Sequence, residues 1–405
     1  MRTLATTVLI LFTFLGCAEE FQGRPPLTDG LHYPLATAVD EATGRLYVVN
    51  SNFDLAYRAA SMVAFDLTTN QLSSGAATFG SFPGAFLLAD SSQSDQRFGF
   101  LAVRGDNSLT WFNIEGSGDD LTFVCSDDAD DPGSCGGSHV MTEGILEVNG
   151  ESEAFSLGAD PYGLGFLPGN DEIPDRLVVA AMKGGELSLL ELSDSEVPEA
   201  PVLVDRVSLA SGLHSAAVDP ATRIIYLTNK QFPLLYRFQV SEGSSGAVLE
   251  KLSSVTLPAP FSSVEYGRGI AFADGGQRVL VTYRTPAALL FIDGADAVPE
   301  LPQAVVTSVP VGAKPGIVEV ADSGANGGEV AYVPCYSDDT LWAIDVATAT
   351  PIAVIKVGAG PYHVSTLFSD TLKRAYVTNF LDHTISIIDI DPASPFYHTH
   401  IAEIH

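Results

Sequence analysis

The chain has 405 residues, 46% of them hydrophobic, with 50 acidic against 20 basic side chains and a formal charge of −30. That apolar fraction is ample for a core and excludes disorder as the meaning of the acidity. A field of this sign repels phosphate backbones, which excludes sequence-blind nucleic-acid binding, and it favours cations, Ca²⁺ among them.

Residues 1–16 open with Arg2 and run apolar through Leu15. A short apolar run with a basic start is expected to be a signal peptide, because a membrane span needs about 20 such residues. Phe14-Leu15-Gly16-Cys17 resembles a bacterial lipobox, with Phe14 where Leu is usual. That resemblance implies acylation of Cys17, an anchor in the membrane and, since Ala18 is not Asp, the outer membrane. An ordinary signal peptide with a fortuitous cysteine is the alternative. Residues 17–30, with Pro25 and Pro26, are expected to form a tether.

From residue 31 to 405 one unit recurs. Each copy reads as a strand, a tight polar turn and a second strand, with two marker positions usually ten apart. The first copy, Asn50 to Asp66, carries six extra residues in its turn. The others are Val103/Asn113, Ala181/Glu191, Asn229/Gln239, Tyr283/Asp293, Cys335/Asp345 and Asn379/Asp389. Tyr47, Phe100, Val178, Tyr226, Leu280, Tyr332 and Tyr376 stand three residues before the first marker. Arg45, Arg97, Arg176, Arg223, Arg278 and Arg374 begin that strand in six copies, and Glu329 takes the place in the remaining one. Lead-ins of the form Gly-x-x-Pro precede several copies, as at Gly158–Pro161 and Gly358–Pro361. Adding a lead-in and a trailing strand gives four strands per copy, without helices. One such sheet cannot bury both faces, so the expected fold is all-β: a seven-bladed β-propeller of four-stranded blades. A β-sandwich would not hold register through seven copies.

Tyr376-Val377-Thr378-Asn379, with Gly358-Ala359-Gly360-Pro361 before it and Ile387-Ile388-Asp389 after, resembles the YVTN family of propeller repeats. Tyr226–Asn229 and Tyr47–Asn50 are weaker copies. The family includes binding proteins, surface-layer proteins and relatives of redox enzymes, so the resemblance implies a fold rather than a reaction.

The spacing stretches after the second blade's third strand, where residues 116–150 form an insertion containing CSDDADDPGSC. Cys125 and Cys135 are expected to pair in an oxidising compartment. Asp127, Asp128, Asp130 and Asp131 between them are hard oxygen donors of the kind that holds Ca²⁺, although their spacing matches no EF-hand loop. A solvated acidic loop is the plainer alternative. Cys335 reads as a buried thiol.

In propellers the turns and the lead-ins open on one face, which is where a ligand is expected. The candidate ligand residues are Asn50, Asp54, Arg58, Arg104, Asn229, Arg284, Tyr362, His363, Asn379 and His383. Asn52, Asp106, Lys183, Lys230, Asp338, Asp339, Asp382 and His214 are expected on the same face, and the extra turn Asp54–Ala60 could fold over it. Asn and Asp there can equally well close turns by bonding their own backbone. The histidines fall at different places in their blades, so no ring of metal ligands emerges. No nucleophile elbow, phosphate-cradling loop, His-Glu-x-x-His or haem-attachment motif is present. Two functions follow. The first is a membrane-anchored monomer binding a protein, glycan or cation at the cell surface without turnover. The second is a hydrolase or lyase of sugars or lactones with an axial pocket.

Overall fold

A computed structural model describes residues 23–405 except 93, 95, 117–119, 149–150, 171, 194–198, 244–245, 259–264, 294–304 and 325–326. The signal peptide and Cys17 lie outside the described residues. The chain forms seven consecutive antiparallel sheets, each entered by its inner strand. Those inner strands are Pro34–Asp40 (blade 1), Pro83–Asp90 (blade 2), Pro161–Leu167 (blade 3), Leu213–Val218 (blade 4), Gly267–Ala273 (blade 5), Glu319–Ala321 (blade 6) and Pro361–Phe368 (blade 7). Each touches the next, and the last returns to the first.

The core explains why one sheet cannot stand alone. Buried apolar side chains fall into seven clusters, one at each interface between neighbouring blades. The second strand of each blade faces a neighbour on both sides, so Arg45–Asn50, Arg176–Ala181 and Val330–Cys335 are buried throughout. Tyr47, Phe100, Tyr226, Tyr332 and Tyr376 are among the largest fully buried side chains. The repeated arginines sit opposite the acids that end the third strand: Arg45 lies 2.6 Å from Asp66, and Arg278 2.6 Å from Asp293. Arg374 instead crosses to blade 1, donating to the Leu67 carbonyl at 3.0 Å.

Blades 1 and 7 are each built from consecutive strands, so among the described residues no exchanged strand locks the ring. Closure rests on a shared cluster that includes Leu46, Phe65, Tyr376 and Ile387, and on Thr37 with Ser365. Their hydroxyls lie 2.8 Å apart, and Ser365 donates to the Thr37 carbonyl at 2.9 Å. Near the axis the inner strands approach too closely for side chains. A Cβ on Gly163 would stand 2.4 Å from the His214 carbonyl oxygen, and one on Gly316 2.1 Å from that of Tyr362.

Within the insertion, Thr122–Val124 and Val140–Met141 pair with different ends of Ser108–Glu115, so the outer edge of blade 2 is split around a loop. Cys125 and Cys135 close that loop as a disulfide. The hairpin of Glu143–Val148 and Glu151–Ser156 lies against the outer strand of blade 3. Residues 23–30 lie along the extra turn of blade 1: Arg58 N donates to the Arg24 carbonyl, and Asn50 Nδ2 to that of Gly30.

Candidate functional site

One backbone bond recurs in every blade and builds the upper face. The first residue of each turn donates its N–H to the lead-in carbonyl: Ser51 to Tyr33, Arg104 to Phe82, Met182 to Asp160, Lys230 to Gly212, Arg284 to Tyr266, Tyr336 to Lys314 and Phe380 to Gly360. Six of those seven acceptors have positive φ; Gly212 and Gly360 take it freely, but Tyr33, Phe82, Asp160 and Lys314 are not glycine. Backbone strain of this kind concentrates where a scaffold presents side chains to a ligand. The bond also brings each turn side chain and each lead-in side chain to the same height around the axis.

At the centre of this face cations outnumber their partners. Arg104 pairs with buried Asp160 at 2.5 Å, and Arg284 and Arg268 each lie 3.1 Å from Glu265. Lys230 makes no ion pair among the described residues, yet stands within electrostatic reach of Arg268 and Arg104. Among the described residues these four cations face two carboxylates, and Lys314 also acts on Glu265, so cations are in excess here in a chain of −30. Burial pulls the Lys230 ammonium below its ordinary range, helped by both arginines. Burial likewise works against the Arg268 charge, helped by Arg284. Arg268 is 5% exposed and its buried Nη1 has no hydrogen-bond partner among the described residues. A guanidinium held dry with an idle donor is costly unless something answers it.

Beneath the cations two phenols meet across the axis. Tyr162 of blade 3 and Tyr362 of blade 7 share a short hydroxyl–hydroxyl bond. Burial, then Tyr362, pushes the Tyr162 phenol well above its usual range, so it stays protonated. Arg104 lies over the Tyr162 ring at 5.6 Å, and His214 packs on it at 4.1 Å. Burial, then the arginines, holds His214 well below the usual histidine range, so its imidazole is neutral near pH 7. Above the phenols a cavity of about 190 Å³ is walled by Phe53, Phe82, Tyr336 and Phe380, with Arg104 at its edge. Phe53 is 57% exposed, as a side chain awaiting a partner would be.

Below the phenols the channel continues past the inner strands of six blades and past Ile317, just before that of blade 6. It widens into a cavity of about 580 Å³ at the lower face, lined by Thr37, Asp40, Arg97, Glu319, His363 and Ser365. Burial pushes the Glu319 carboxyl up to about 7 and holds His363 down at about 4.

Of the candidates read from the sequence, Arg104, Arg284 and Tyr362 converge at the axial mouth, with Lys230 and His214 beside them. His363 lines the lower channel, 3.2 Å from the Thr37 hydroxyl. Asp54 and His383 belong to a rim clasp: His32 reaches Asp54 at 2.9 Å and stacks on His383 at 4.9 Å, and the Tyr33 N–H donates to His383 Nδ1. Asn50, Asn229 and Asn379 are buried and spend their amides within the fold, on Gly30 and Ser61, on Ser211, and on Thr384 and Ser386. Arg58 is exposed on the extra turn. In the acidic loop Asp127 accepts from Ser138, and Asp128 from the Asp130 N–H; Asp130 and Asp131 are exposed. No group of three metal-holding side chains occurs among the described residues. Cys335 is buried, its thiol pushed up to about 12. The sequence reading missed Arg268, Glu265, Asp160, Tyr162, Glu319 and the aromatic wall. Tyr162 and Tyr362 each follow the Pro of a Gly-x-x-Pro lead-in, and that shared place was the one signal for them.

No family model matches the chain, and no curated protein matches it in sequence. Solved structures do match in fold. A protein from Lactobacillus plantarum has a TM-score of 0.58 at 14% identity, over 83% of this chain and 89% of that one. Periplasmic gluconolactonase PpgL of Pseudomonas aeruginosa has 0.55 at 16%, over 81% and 86%. Dihydro-heme d1 dehydrogenase NirN has 0.54 at 14%; 90% of this chain spans 64% of that one. At such identities the likeness shows the fold alone.

Proposed function

We propose that this chain is a YVTN-type propeller that binds a small organic anion with a flat or apolar face at the upper mouth of its axial channel. The observation that carries this is the local cation excess around Arg268, whose buried Nη1 lacks an acceptor among the described residues, in an otherwise strongly acidic protein. A carboxylate drawn to this group of cations supplies an acceptor, and the ring or chain behind it fills the cavity between Phe53, Phe82 and Phe380, whose edge Arg104 forms. Calorimetry with glucuronate and benzoate tests it. Binding to the wild type and its loss in the Arg104→Gln/Arg268→Gln protein support the reading; absence of binding by any carboxylate overturns it.

A second reading, lactone hydrolysis at the same mouth, draws on one further feature: neutral His214, packed on Tyr162 beneath the cations, is a base placed where an opening ring would develop negative charge. The fold shared with a gluconolactonase agrees with it without carrying it. Lactone turnover unchanged in His214→Ala would remove it. We place the protein on the outer membrane through lipid on Cys17, as the leader implies. Loss of acyl labelling in Cys17→Ala is the expected result, and retained labelling counts against the anchor.

A further inference from the structure

The lower half of the channel holds a carboxyl that goes unanswered. Glu319, on the inner strand of blade 6, makes no hydrogen bond or ion pair among the described residues, and burial alone displaces its titration. The cavity's own cation is spent, since Arg97 binds both Asp40 and, at 2.6 Å, Asp90. Of the rest of the polar wall, the Thr37 and Ser365 hydroxyls are bonded to each other, His363 is held uncharged by burial, and Glu41 adds a further acid rather than a cation. Phe86, Leu88 and Ala38 supply apolar wall between them.

We propose that this lower cavity is a second ligand site, which takes a small primary ammonium ion on Glu319. An ammonium has three donors and no acceptor, which suits a carboxylate in a cavity whose wall also carries hydroxyl and imidazole groups. A divalent metal would need several oxygen ligands at once, and no such group gathers among the described residues. The cavity of about 580 Å³, open below, admits an amine of several heavy atoms, and the net charge of −30 draws cations towards it. The two ends of the channel then select opposite charges, with the Tyr162–Tyr362 pair between them.

Calorimetry of the full chain with ethanolamine and 1,4-diaminobutane tests this at pH 8. The expected result is saturable binding that Glu319→Gln abolishes, with affinity falling about tenfold per pH unit below about 7 as a proton takes the amine's place. His363 of blade 7, Asp40 and Glu41 of blade 1, and Asp90 and Arg97 of blade 2 also face the cavity. His363 remains neutral over that range, and Arg97 bridges the two aspartates. No binding at pH 8, or equal binding by Glu319→Gln, overturns the proposal; the latter assigns the heat to general surface charge. Should the variant misfold, the pH dependence of wild-type binding decides in its place, and an affinity that stays flat from pH 8 to pH 5 overturns the proposal equally. Glucuronate titrated into the variant keeps the two sites apart, since its binding depends on the upper mouth alone.

Discussion

Glu319→Gln should make the protein more stable in mild alkali and leave it nearly unchanged in acid. In the folded chain the carboxyl titrates at about 7, against 4.5 when solvated. Between those values the folded state holds a proton that the unfolded state has released, so stability falls as pH rises through this window. Above about 7 the cost is complete. A displacement from 4.5 to about 7, at about 1.36 kcal/mol per pH unit, amounts to at most about 3 kcal/mol, since the side chain is only partly buried and faces the cavity. Glutamine keeps the shape and removes the charge. For a propeller of this length about 3 kcal/mol corresponds to roughly 4 °C in Tm. Thermal unfolding of wild type and variant at pH 4.5 and pH 8, followed by intrinsic fluorescence, reads the difference directly. His363 and every other titrating group are common to both proteins and cancel. A Tm gap equal at both pH values, or a variant less stable at pH 8, would refute the reasoning about burial. A side chain that costs this much where it stands is one that folding alone would not select.

Arg268→Gln removes the guanidinium whose Nη1 lacks a partner among the described residues, and carboxylate affinity should fall roughly 10- to 100-fold, the worth of one bond between charged groups. Calorimetry checks it, and unchanged affinity would separate Arg268 from the ligand. Replacing Cys125 and Cys135 together by Ser should cost about 2–3 kcal/mol in denaturant unfolding, as expected for closing so short a loop, with hydrogen exchange rising first at the outer edge of blade 2. Gly163→Ala puts a Cβ 2.4 Å from the His214 carbonyl oxygen, so the inner strands of blades 3 and 4 must separate. About 1–3 kcal/mol of stability should be lost in the same measurement. Carboxylate binding should weaken too, because His214 and Tyr162 move; a neutral outcome would mean the axis is looser than its packing indicates.

The repeat was legible because it is written in local chemistry. Apolar alternation, a tight turn and the Arg-to-acid pairing at strand ends each fall within one copy, so their period survives as a pattern of residues. The disulfide was legible for the same reason, its two cysteines being ten residues apart. The face assignment transferred in part. Arg104, Arg284 and Tyr362 did reach one mouth, whereas Asn50, Asn229 and Asn379 turned inward to satisfy backbone and hydroxyl groups that a sequence does not display.

By itself the sequence determined seven modules, the order of their strands and the acidity of the whole, since each follows from composition or from neighbours along the chain. Only the tertiary structure decided that Tyr162 meets Tyr362 from 200 residues away, and that among the described residues Arg268 is left with an idle donor and the Glu319 side chain without a partner. The physical reason is the ring. Closing seven sheets about an axis brings one or two residues from each blade to a common centre, and what happens there depends on sums of charge and burial over distant segments.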